Sequence, residues 1–214
     1  MTFFKVTIPR QLVILIALAS GLTLARVAFT GSTYYLYLLW NIFLALLPFM
    51  VSVIVLQNDE HKKIALWILV IVGIVWLAFF PNAPYLVTDV IHLRKSQLAP
   101  IWFDALMFFS IAWVGMLCSL YSLSHIEKIL RARFSSALTW TILTAAIALS
   151  SFGIYLGRFL RWNSWDMVAN PNDLATDVFS VFSQPEQHQQ AYLMIPVFTV
   201  FILVSYLAWR ENKV

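Results

Sequence analysis

Tyr85, Thr88, Asp89, His92 and Lys95 recur at i, i+3, i+4, i+7 and i+10, and Leu86, Val87, Val90, Ile91 and Leu93 take the positions between them. That spacing predicts a short helix with one polar face. Asp89 and His92 then point the same way. The carboxylate can orient or charge the imidazole, and the two together can serve acid–base chemistry or offer a metal ion two ligands. Pro81 and Pro84 forbid a straight continuation of the preceding apolar run. Asn82 is suited to cap the new helix, with Pro84 in its first turn. Asn82 and Tyr85 are candidate ligand contacts on the same segment. A helix lying on a bilayer with its polar side to water has the same pattern and needs no ligand.

Asp104, just after Trp102 and Phe103, is the third candidate acid–base group. It also suits the first turn of a helix, where a carboxylate meets the positive end of the helix dipole. Arg26 falls inside an apolar run. A cation there costs up to about 3 kcal/mol unless it is paired or snorkels, and Asp104 and Asp89 are its candidate partners.

A second dense stretch is Gly157-Arg158-Phe159-Leu160-Arg161-Trp162-Asn163-Ser164-Trp165-Asp166. Arg158 and Arg161, three residues apart, would share a helical face and could clamp a phosphate or carboxylate, with Trp162 and Asp166 as further contacts. Arg and Trp at a lipid headgroup boundary give the same pattern by anchoring alone. His61 and His125 fall in basic loops, where they would be solvated. His188 lies in a Gln-rich loop beside Glu186 and has little claim as a metal ligand.

The rest of the chain must position these groups. Hydrophobic residues make up 61% of the 214 positions, aromatic residues 16% and charged residues 11%, which is far more apolar than a soluble domain. Apolar runs at 11–29, 34–56, 64–80, 102–124, 135–156 and 191–209 are each long enough, or nearly so, to cross about 30 Å of hydrocarbon as a helix. The expected fold is all-α: a polytopic membrane bundle of six transmembrane helices, plus a short interfacial helix after the third, forming a single integral membrane domain. Strict strand alternation is missing, and lipid leaves no partner for exposed backbone, so a barrel is disfavoured. The block from Leu12 to Ala19 is short enough to be a signal peptide cleaved near Ala19 or Ala25, but apolar character resumes past Gly21, which favours an uncleaved span.

The formal charge of +4 resides in short loops and forms no continuous patch, so it reads as a topology signal and not as a nucleic-acid surface. Nine Lys and Arg fall at the termini and in the 57–63 and 125–134 loops, against four in the segments on the other side, Arg26 being within a span. The excess places both termini in the cytoplasm and both polar stretches outside it, on one predicted side where they could share a site. Tyr34, Tyr35, Tyr37, Trp40, Tyr85, Trp102, Trp162, Trp165 and Tyr192 gather near those outer ends, as an aromatic belt would. Asn41 and Pro48 inside the second span suit packing and a kink. Lone Cys118 excludes an intrachain disulfide and a cysteine metal cluster. No phosphate loop, nucleophile elbow, paired-histidine zinc motif or nucleic-acid module is present.

Phe80-Pro81-Asn82-Ala83-Pro84-Tyr85 with Thr88-Asp89 and His92-Leu93, then Trp102 and Asp104, then Gly153-Ile154-Tyr155-Leu156-Gly157-Arg158-Phe159 and Arg161-Trp162-Asn163-Ser164-Trp165-Asp166 resemble the bacterial membrane family labelled domain of unknown function 1361, over roughly residues 35–205. The resemblance implies a small multi-span protein of the bacterial envelope, which with the charge count is expected in the cytoplasmic membrane, and carries no assigned activity or cofactor. Two readings follow. One is a membrane-embedded enzyme acting on a lipid-linked or envelope substrate, with Asp89, His92 and Asp104 as acid–base groups or metal ligands and the arginines holding an anionic group such as a lipid. The other is a non-catalytic component, a transporter subunit or partner-binding protein, whose polar residues pair structurally.

Overall fold

The computed structural model describes residues 8–58, 64–93 and 98–211, and within them it is all helical, without strands. Lys95, His61 and the 59–63 loop lie outside the described residues. The long helices are α1 (Arg10–Thr30), α2 (Tyr37–Asn58), α3 (Leu66–Phe79), α5 (Ile101–Arg131), α6 (Ser136–Phe159) and α9 (Gln189–Glu211). Between them lie α4 (Asn82–Tyr85), a 3-10 helix (Leu86–His92), α7 (Asp166–Ala169) and α8 (Pro171–Ser183). Among the described residues six helical runs, the third counted from Leu66 to His92, are long and apolar enough to cross a bilayer, as a polytopic bundle requires.

The boundaries differ from the expected spans chiefly at α5, which continues to Arg131. At about 1.5 Å per residue its 31 residues reach roughly 46 Å, well beyond a hydrocarbon core. Its last turns carry a Glu127–Arg131 pair at 2.5 Å, one helical turn apart. His125 is therefore not in a solvated loop. It is half-buried on α5, 3.0 Å from the Ser52 hydroxyl and against the Phe49 ring.

The chain divides into two compact units, Met1–Arg133 and Phe134–Val214. In the first, α5 packs against α1, α2, α4 and the 3-10 helix. Polar groups stitch its spans: Trp76 donates to the Ser122 hydroxyl at 2.7 Å, and Ser122 donates to the Pro48 carbonyl at 3.1 Å, joining α3, α5 and α2. Such bonds hold helices that share no hydrophobic drive in lipid. Gly115 permits a close approach of α4 to α5. A methyl group there would lie 2.3 Å from the Ala83 carbonyl oxygen and 2.9 Å from the Leu86 Cβ, so α5 can carry no side chain where α4 crosses it.

In the second unit α6 packs on α9. Tyr155, Val181 and Ala191 form a buried cluster with Phe152, Leu156 and Met194 around it, which fixes α8 against the end of α6 and the start of α9. Ser135 caps α6 by accepting from the Leu138 amide at 3.3 Å.

Candidate functional site

The segment that carries Asp89 and His92 is shaped by its two prolines. Pro81 and Pro84 have no amide hydrogen for the carbonyls of Leu77 and Phe80. The backbone stays in the right-handed helical region through the break, with Phe80 at φ −57°, Pro81 at −54° and Tyr85 at −54°. The Ala83 amide takes over the Phe80 carbonyl at 3.1 Å, and the Asn82 side-chain amide donates to the Phe79 carbonyl at 2.9 Å. Asn82 thus mends the end of α3 and does not cap α4, whose N-cap position is Pro81 without a side-chain cap. Tyr85 lends its carbonyl to the Thr88 hydroxyl at 2.6 Å.

From Leu86 the helix tightens to the 3-10 form, in which residues three apart eclipse. Leu86, Asp89 and His92 therefore make one row. The polar face expected from the sequence is turned into the protein: Asp89 is 1% exposed and Thr88 7%, while Val90 and Ile91 are 51% and 58% exposed. The row faces the first turn of α2, where Tyr37 and Asn41, four residues apart, complete two rungs. Asn41 donates to Asp89 Oδ2 at 3.1 Å, and the Tyr37 ring meets the His92 ring edge to face at 6.1 Å.

Arg26 and Asp104 lie at the same end of this unit. Arg26 Nε donates to Asp104 Oδ1 at 2.6 Å and Nη2 to Oδ2 at 3.2 Å, a bidentate pair with side chains 0% and 1% exposed. Of the two expected partners, Asp104 forms this bidentate ion pair. The Tyr35 ring lies 4.2 Å from the guanidinium carbon, a cation–π contact that a buried arginine strengthens. The Tyr35 hydroxyl donates to the His92 carbonyl at 2.7 Å. Tyr35 thereby ties the ion pair to the Asp89–His92 row. Sequence reasoning placed Tyr35 in the aromatic belt and Asn41 among packing devices. Asn41 inside an apolar run four residues after a tyrosine was the available signal.

Among the described residues no group of three or more His, Cys, Asp and Glu could hold a metal ion. Asp89 and His92 alone would leave most of a coordination shell to water or substrate.

In the second unit the expected arginine clamp is not built on one helical face. The helix carrying Arg158 stops at Phe159, and Arg161 turns the chain through the left-handed region at φ 63°. The amides of Leu160 and Trp162 both reach the Leu156 carbonyl, at 3.1 and 3.2 Å, as a helix end closed by a left-handed residue allows. Trp162 donates to Asp177 Oδ2 at 2.8 Å. Asp166 Oδ2 accepts from the Asn163 amide at 2.7 Å and from its side chain at 3.2 Å, so this carboxylate shapes its own turn. His188 bridges Tyr155 and Ser180, at 2.8 Å from the Tyr155 hydroxyl and 3.1 Å from the Ser180 hydroxyl. Asp89, His92 and Asp104 belong to the first unit, and Arg158, Arg161, Trp162 and Asp166 to the second.

No curated protein and no solved structure matches the chain. A protein family does, over residues 40–205, which takes in the prolines, the Asp89–His92 row, Asp104 and the Arg158–Asp166 turn. By that match the chain belongs to the family described as Protein of unknown function (DUF1361).

Proposed function

We propose that the chain is a non-catalytic integral membrane component, a partner-binding protein or transporter subunit, in which the buried polar cluster locks helix ends together. The observation that carries this reading is the bidentate Arg26–Asp104 pair, sealed from solvent under the Tyr35 ring. A carboxylate engaged at both oxygens by one guanidinium is held in a fixed geometry, as a structural brace requires. Removing one member leaves an uncompensated buried charge, whereas replacing both by apolar residues is tolerated. We read the whole chain as one membrane domain in the bacterial cytoplasmic membrane, with both termini cytoplasmic. The excess of Lys and Arg at the termini and in the 57–63 and 125–134 segments supports that orientation.

One observation favours the enzyme reading as a second. The row of Asp89 and His92, backed by Asn41 and Tyr37, places a carboxylate and an imidazole on one face of the 3-10 helix, a pairing that acid–base chemistry uses. Native mass spectrometry of the purified protein beside Asp89→Ala and Arg158→Ala separates the two. No retained ion or lipid in any form, with Asp89→Ala destabilised, supports the structural reading. A bound ion lost in Asp89→Ala, or an anionic lipid lost in Arg158→Ala, overturns it in favour of a ligand site for an envelope substrate.

A further inference from the structure

Residues 162–209, between Arg161 and Arg210, hold Asp166, Asp173, Asp177 and Glu186 and no Lys or Arg. Within them α8 has three sectors around its circumference and not two. At 100° per residue, Leu174, Asp177, Val178 and Val181 share one arc, and Val181, 2% exposed, sits in the Tyr155–Ala191 cluster. Asn172, Asp173, Thr176 and Ser183 share a polar, exposed arc. Between the two lies a third arc of Ala175, Phe179 and Phe182, with Phe179 71% and Phe182 66% exposed. A helix that only covers its own core needs one apolar arc. The extra arc requires a second apolar neighbour.

We infer that this arc, with the adjoining Met167 and Val168 of α7, lies in the acyl-chain boundary of the same bilayer that α6 and α9 cross. Three observations fix the occupant as lipid. The segment is tethered at both ends to spans, α6 ending at Phe159 and α9 starting at Gln189, so it cannot leave the membrane surface. Phe182 meets Phe152 of α6 at 5.8 Å between ring centroids, so the exposed arc runs on into the side of a span. The facing ends of those two spans are themselves apolar on the outside, with Phe159 of α6 at 44% and Leu193 of α9 at 71% exposure. The charge balance adds that apolar burial and not attraction to anionic headgroups holds the segment beyond Arg161, because the ionised groups from Trp162 to α9 are all acidic. A zwitterionic bilayer is then sufficient.

The test is collision-accessibility electron paramagnetic resonance on the full chain in phosphatidylcholine nanodiscs. Single cysteines carrying a spin label replace Phe179, Phe182, Asp173 or Thr176 in a Cys118→Ser background, with Val200 on α9 as the lipid reference. Labels at 179 and 182 are expected to collide more with oxygen than with a nickel chelate, as at 200, and labels at 173 and 176 to show the reverse order. Nickel dominating at 179 and 182 would mean that the arc faces water, and protection from both agents would mean that protein covers it. Either result overturns the inference. Should the background fold poorly, hydroxyl-radical footprinting of the unmodified protein in the same nanodiscs decides: Phe179 and Phe182 are expected to stay unoxidised, and modification of both overturns the inference.

Discussion

Arg26 and Asp104 meet from helices 78 residues apart in sequence and are sealed from solvent, whereas Asn163 and Asp166 meet three residues apart in an exposed turn. Both are charge-assisted contacts at similar distances, yet they do different physical work. Once Arg26 is buried, its partner is compulsory, because neither water nor lipid can replace a carboxylate at that place. At Asp166 water stands ready to take over each lost bond, so the contact shapes a turn without holding helices. Of these two acids, Asp104 thus serves tertiary structure and Asp166 local loop geometry.

The sharpest way to break this comparison is to truncate each contact. Arg26→Ala or Asp104→Ala is expected to lower stability by about 3–5 kcal/mol, and Arg26→Met with Asp104→Leu to restore most of it, both read from unfolding in detergent. Asp166→Ala should cost no more than about 1 kcal/mol. Equal losses at the two sites would erase the distinction. Next in size is Gly115→Ala, expected to cost about 1–3 kcal/mol because the Ala83 carbonyl is backbone and cannot swing aside. Its effect should add to that of Asp166→Ala, since the two substitutions share no partner.

Asn41→Ala sharpens the comparison within the first unit. It deprives buried Asp89 of a donor and should cost about 1–3 kcal/mol, with amide hydrogen exchange accelerated in the 3-10 helix before the rest of the chain. The smallest expected effect has the opposite sign. Arg161→Gly relieves a left-handed backbone and should stabilise by about 1 kcal/mol in the same unfolding measurement. A loss there would mean that the guanidinium makes contacts worth more than the strain.

The spans were legible because twenty apolar residues in a row have few alternatives to crossing a membrane, and Arg26 announced a partner because an isolated cation inside such a run is costly. Which acid would answer was not legible: Asp89 and Asp104 fit equally until α5 and the 3-10 helix are packed. Tyr35 looked like belt aromatics elsewhere, since its ring position under Arg26 is a tertiary fact. Arg161 gave no signal at all, because a left-handed residue is usually announced by Gly or Asn. The polar row was read as a short helix with one polar face, and i, i+3 spacing belongs to both helix types, so the row was legible and its 3-10 pitch was not.

That pitch couples length to direction. Seven residues in 3-10 form span about 14 Å, against about 10.5 Å as an α-helix. Rewinding the segment would shorten it by roughly a quarter and swing His92 about 60° around the axis away from Asp89. The stretch from Leu86 to His92 is in effect a screw: axial travel at the end of α3 and the alignment of carboxylate with imidazole are a single degree of freedom.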